Sequence, residues 1–189
     1  KFMQIVIKSK KSEFYLSKNN NNILRVEDLS NKLNNSNFFI IFRDPLNQSF
    51  SMQKQYYNFI KLQEKDDFIE EYMSMIGHFE FGKGYKEIFH KKDFNINEKE
   101  KLGYWLQIWK QTYENLYKKL KTKDNIYFLS YEELSKNKKK YLEQKGIDKN
   151  ITDAINLDNF NNKNKMLETE NSKILQEAKE LYNKMVNNL

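Results

Sequence analysis

The spacing of apolar positions changes several times along this chain, and each change marks an element. Residues 37–42, NFFIIF, run apolar without alternation, as a parallel strand covered on both faces does. NIYFLS at 125–130 repeats the pattern, and the shorter EFYLS at 13–17 reads as a third strand. FMQIVI, near the start, fits either a short strand or the last turns of a helix. The Asn run before Ile23 offers helix caps, and Ile23, Val26, Leu29 and Leu33 follow at helical spacing. Asp44 and Pro45 fit an N-cap and a first helical residue, where proline's missing N–H costs nothing; the helix they open should run to about residue 62. A further helix is expected over 66–79, ending near Gly82 and Gly84. The longest amphipathic helix spans 97–120, with Leu102, Trp105, Leu106, Trp109, Tyr113, Leu116 and Leu120 on one face. YEELSKNKKKYLEQKG leaves the last strand as a helix capped by Gly146, and SKILQEAKELYNKMVNNL closes the chain as another.

Strands alternating with helices imply crossover connections, hence an α/β fold with a parallel sheet flanked by helices. Neither an internal repeat nor a linker interrupts the pattern, so residues 1–189 read as a single domain. Ligands of such folds bind at the carboxyl ends of the strands, beside helix N-termini that favour anions. The residues just past the three strands are Lys18, Arg43 and Tyr131, which should therefore gather at one edge of the sheet.

Composition narrows the class. With 39% hydrophobic and 15% aromatic residues, the chain carries too much core material to be disordered. A single proline and five glycines favour a helix-rich protein. The absence of cysteine excludes disulfides and thiolate metal sites and suits a reducing, cytoplasmic location. Two distant histidines and no cysteine argue against zinc, so no metal is expected. No apolar run reaches 18 residues, which excludes a membrane-spanning helix. The net charge of +7 suits a polyanionic partner. Its lysines are interleaved with acids, though, and form no stripe with exposed aromatics, so nucleic acid is not the expected partner.

Arg43 offers a planar fork for phosphate, and Ser51, eight residues on, can donate a hydroxyl from the next helix. Lys18 is a mobile point charge suited to a bridging oxygen, and Tyr131 can stack on a base. His78, beside Phe79, reads as a packing residue, and Glu80 as a weak candidate for a base. His90 should be exposed, Trp105 and Trp109 should be core, and KNKKK at 136–140 should coat a helix surface.

FFIIFRDPLNQSFSM, residues 38–52, resembles the 3′-phosphate-binding segment of sulfotransferases that use 3′-phosphoadenosine 5′-phosphosulfate (PAPS). In that family a strand ends in arginine, then Asp or Asn and Pro, with a serine eight residues after the arginine; Arg43 and Ser51 match. LSKNNNNILRVEDL is similar to the family's bacterial-type segment at Lys18, Asn19, Asn22, Leu24 and Arg25, and YFLSYEEL to its Tyr-Glu-Asp-Leu element. The resemblance covers roughly residues 10–145. It implies a P-loop-NTPase-like sheet, PAPS as sulfuryl donor without a metal, and a small-molecule or carbohydrate acceptor. It assigns Arg43 and Ser51 to the 3′-phosphate, Tyr131 to the adenine and Lys18 to the phosphosulfate or the leaving bridge oxygen. Lys163 and Lys165 fit a basic segment approaching the 3′-phosphate. The acceptor pocket is expected within residues 53–100. The chain begins at Lys1 rather than methionine, and the first strand and the glycine-rich loop for the 5′-phosphosulfate are expected upstream of it. Ser17 and Asn20 stand where that bacterial segment has glutamate and proline, or in other branches a catalytic histidine, so the base is not in this segment. That departure motivates an alternative, a non-catalytic nucleotide- or polyanion-binding module on the same fold.

Overall fold

The computed structural model describes residues 2–87, 100–154 and 172–187. Two strands, β1 (Phe38–Phe42) and β2 (Ile126–Ser130), pair in parallel, with Phe38 opposite Ile126 and Phe42 opposite Ser130. Around them stand α1 (Phe2–Lys10), a 3₁₀ turn (Asn20–Leu24), α2 (Val26–Lys32), α3 (Pro45–Lys65) and α4 (Asp67–Met75). After β1's crossover come α5 (Leu102–Leu120), and after β2 α6 (Tyr131–Lys136), α7 (Lys138–Gln144), α8 (Lys149–Ala154) and α9 (Lys173–Asn187). The fold is thus helix-rich α/β with a small parallel sheet, as the alternating pattern predicts. None of the described helices is long and apolar enough to cross a membrane.

The central helix is α5, in which ten residues are buried, more than one amphipathic face supplies. Trp109, Tyr113, Leu116 and Leu120 pack with Phe42, Ile126 and Phe128 of the strands and with Ala178 and Met185 of α9. Trp105, Tyr104 and Ile108 serve a second cluster with Met52 and Tyr56 of α3 and with Phe81 and Tyr85 of the loop after α4. Both tryptophans are core, as their spacing suggests.

Four local expectations need correction. EFYLS at 13–17 is irregular chain, not a strand. Phe14 and Leu16 are 47% and 68% exposed, and the described sheet consists of β1 and β2 alone. A strand needs a ladder partner to satisfy its backbone, and apolar alternation cannot supply one. The segment from the Asn run to Leu33 is not one helix: Arg25, at φ −128° and ψ 10°, separates the 3₁₀ turn from α2. Asn19 accepts the Asn21 N–H at 2.8 Å, the local turn bond through which asparagine competes with a regular helix. Residues 131–146 likewise divide at Asn137, whose side chain accepts the Lys140 N–H at 3.2 Å and starts α7 afresh. The helix expected over 66–79 stops at Met75, and the chain turns through Gly77 toward His78.

Other boundaries agree. Asp44 caps α3 with Pro45 at its first position, and the helix runs to Lys65. Gly146 closes α7, its N–H bonding the Glu143 carbonyl at 3.0 Å while Ile147 N–H bonds that of Leu142 at 3.1 Å. The ambiguous FMQIVI is helical, as α1. The expected helix start at 97, His90, Lys163 and Lys165 lie outside the described residues.

Candidate functional site

In-register parallel pairing brings the carboxyl ends of β1 and β2 level, so the next residue of each chain segment stands beside the other. Those residues are Arg43 and Tyr131, and the Arg43 guanidinium carbon lies 5.1 Å from the centre of the Tyr131 ring. The cation therefore lies over the ring within cation–π range. The sequence places these two residues together correctly.

The turn from β1 into α3 is built by short local bonds. Asp44 Oδ1 accepts from the Asn47 N–H at 2.8 Å and from Asn47 Nδ2 at 2.9 Å, and Pro45 presets the first helical φ. The Asp44 N–H points the other way and donates to Glu132 Oε1 at 3.0 Å. Glu132 Oε2 accepts from the Tyr182 hydroxyl at 2.8 Å and from Ser130 Oγ at 3.2 Å. One carboxylate therefore joins the ends of both strands to α6 and to α9. Burial first, and the neighbouring Glu132 charge with it, push the Tyr182 phenol above its ordinary range, keeping it a donor.

A second polar layer lies beneath. The Tyr113 hydroxyl donates to the Ile41 carbonyl at 3.2 Å and accepts from Gln48 Nε2 at 3.2 Å. Gln48 Oε1 in turn accepts from Trp109 Nε1 at 3.0 Å. Complete burial pushes the Tyr113 phenol up to about 12. These bonds tie the end of β1 and the first turn of α3 to α5, bracing the backbone that carries Arg43.

The remaining predicted site residues are placed differently. Ser51 is exposed on α3, seven residues beyond the Asp44 cap. Two helical turns return it to the Asp44 stripe, about 10 Å further along the axis. Lys18 is exposed in irregular chain, because the strand that should have delivered it does not form. Sequence reasoning missed Glu132, Tyr182, Tyr113 and Gln48. Glu132 sits inside a motif that drew attention to its neighbour Tyr131; Tyr182 lies on a helix with no local feature pointing to the strand ends.

Replacing Tyr182 by Phe should destabilise the fold by about 1.5–3 kcal/mol, the range for a hydrogen bond to a charged group. Urea unfolding of the two proteins checks this, and an unchanged midpoint would remove Tyr182 from the strand-end network.

Comparison with protein-family models, with curated proteins and with solved structures found no match to this chain.

Proposed function

We propose that this chain carries the 3′-end recognition half of a PAPS-dependent sulfotransferase, built on a P-loop-NTPase-like arrangement. Its reaction moves a sulfuryl group from PAPS to a hydroxyl or amine of a small-molecule or carbohydrate acceptor. The observation that supports this most is the Arg43–Tyr131 pair at level strand ends, beside a capped helix start. A guanidinium and an aromatic ring in contact suit a ligand that presents phosphate and a flat base together. In this reading Arg43 binds the 3′-phosphate, with Ser51 reaching it along the same helix stripe. Tyr131 flanks the adenine, and Lys18 meets the phosphosulfate. The protein's work in such a transfer is positioning and stabilisation of spread negative charge, as in phosphoryl transfer.

Calorimetric titration tests the reading. The protein should bind 3′,5′-diphosphoadenosine more tightly than AMP. Arg43→Ala should lose about 1.5–3 kcal/mol of that affinity, roughly 10- to 150-fold, through a charge-assisted phosphate contact. Equal affinity for the two nucleotides, or an Arg43→Ala protein that binds as well as the original, overturns it.

A further inference from the structure

The loop after α4 is held in one conformation by bonds from several directions. The His78 N–H bonds the Met73 carbonyl at 2.8 Å, and the Lys86 N–H bonds the Phe79 carbonyl at 2.9 Å. Fully buried Gln63 of α3 accepts the Lys83 N–H at 2.7 Å and donates to Met73 Sδ at 3.3 Å. The Phe81 ring stacks on Phe59 with centres 6.1 Å apart, and Lys86 Nζ sits 3.8 Å from the centre of the Phe79 ring.

This anchored loop presents a carboxylate and an imidazole together. Glu80 Oε2 is buried and receives no hydrogen bond, yet it lies 3.1 Å from His78 Nε2. The two groups are therefore within reach of a hydrogen bond or, with the ring protonated, of an ion pair. Glu80 is the more buried partner, at 20% side-chain exposure, while His78 is 37% exposed. Among the described residues His78 Nδ1 has no hydrogen-bond partner. A carboxylate behind a partly exposed imidazole can orient the ring for proton transfer at its other nitrogen. A burial cost for Glu80 Oε2 without a full bond is unexpected in a loop that serves packing alone.

We propose that His78, backed by Glu80, is the general base that the strand-end segment lacks. This rests on the sulfotransferase reading above. In the step it serves, the acceptor oxygen forms a bond to sulfur while the bond from sulfur to the bridging oxygen of the 5′-phosphate breaks. The electron pair of the broken bond stays on that phosphate, releasing 3′,5′-diphosphoadenosine, and the acceptor proton passes to His78 Nδ1. The His78 ring lies 5.9 Å from that of Phe59. Phe59 is fifteen residues along α3 from Asp44, about 22 Å on the helix rise. The Arg43 and His78 side chains, an extended nucleotide between them and the attacking hydroxyl together fill a separation of that order. The adjoining surface of α3 carries an open groove of about 350 Å³ lined by Gln55, Asn58, Phe59, Lys61, Leu62 and Lys65. Its amides and lysines beside an apolar floor suit a hydroxylated acceptor that also carries negative charge.

Two measurements on the complete protein test the proposal. The first follows carbethoxylation of His78 by diethyl pyrocarbonate with peptide mass spectrometry. PAPS should slow it several-fold, whereas 3′,5′-diphosphoadenosine, which lacks the sulfuryl end, should leave it unchanged. The second follows transfer of labelled sulfate from PAPS to acceptors in a cell extract. His78→Gln should lower transfer by about 100-fold or more, the usual contribution of a positioned base, with 3′,5′-diphosphoadenosine affinity unchanged. Imidazole should restore part of the rate to His78→Gly, and Glu80→Gln should show a smaller loss in kcat with little change in KM for PAPS. Full transfer by His78→Gln, no protection by PAPS, or no transfer by a protein that binds the nucleotide overturns the base assignment and leaves nucleotide recognition standing. Failure to prefer 3′,5′-diphosphoadenosine over AMP removes both.

Discussion

Trp109→Ala should cost about 3–5 kcal/mol of stability, the range for deleting a large buried aromatic side chain. Trp109 is 1% exposed and lies between the sheet and α9 in the largest apolar cluster. Its ring centre is 4.8 Å from that of Tyr113, so the cavity opens beside the residue that holds the Ile41 carbonyl. The substitution also removes the donor to Gln48 Oε1. Trp109→Phe separates these effects. It keeps most of the volume and loses chiefly the indole bond, at about 1–2 kcal/mol. Urea unfolding of the three proteins measures both numbers. An alanine variant that loses less than about 1 kcal/mol would place Trp109 outside the core, since that is the loss of a surface position. Because Tyr113 and Gln48 support the end of β1, the proposed function further requires that the alanine protein bind 3′,5′-diphosphoadenosine less well than its residual folded fraction accounts for.

Gly82→Ala is expected to cost about 2–4 kcal/mol, from backbone strain and a displaced buried amide together. Gly82 has φ +83°, a region that L side chains rarely adopt. A Cβ there would lie 2.4 Å from Gln63 Oε1, so one of the two must move. Gln63 cannot move without releasing the Lys83 N–H and the Met73 sulfur. Gly77 is the control within the same loop. It has φ +69° but nothing within 4 Å of its would-be Cβ, so Gly77→Ala should show the strain alone, about 1 kcal/mol or a little more. Equal losses at the two positions would mean that Gln63 does not brace the loop. The Gly82 change should also disturb the loop that carries the His78–Glu80 pair.

The parts legible in the sequence share one property: their cause is local. NFFIIF and NIYFLS carry unbroken apolar runs, Phe38–Phe42 and Ile126–Leu129, and become the two parallel strands. Asp44-Pro45 carries its own cap, and Gly146 its own helix end. The meeting of Arg43 and Tyr131 followed from these, since parallel strands in register bring their next residues level. What was not legible depends on partners far along the chain. EFYLS has the apolar character of a strand but pairs with no strand among the described residues, so Lys18 stays in irregular chain. Glu132 acquires its role from the Asp44 N–H and the Tyr182 hydroxyl, which are remote in sequence. Asparagines at 19 and 137 bond their own backbone, and that competition set the helix breaks which apolar spacing did not reveal.

The seating of α9 against the strands also sets a schedule for biosynthesis. Ala178 and Met185 are fully buried in the same cluster as Phe42 of β1. Roughly 140 residues must therefore emerge after β1 before that cluster can close, about 7–30 s at ordinary rates of chain growth. From the emergence of β2 until α9 arrives, the nascent chain shows the ribosome's surroundings an open apolar surface made by β1, β2 and α5. Chaperone occupancy on nascent chains should accordingly persist until Met185 has left the ribosome, and it should fall away once α9 is free to dock.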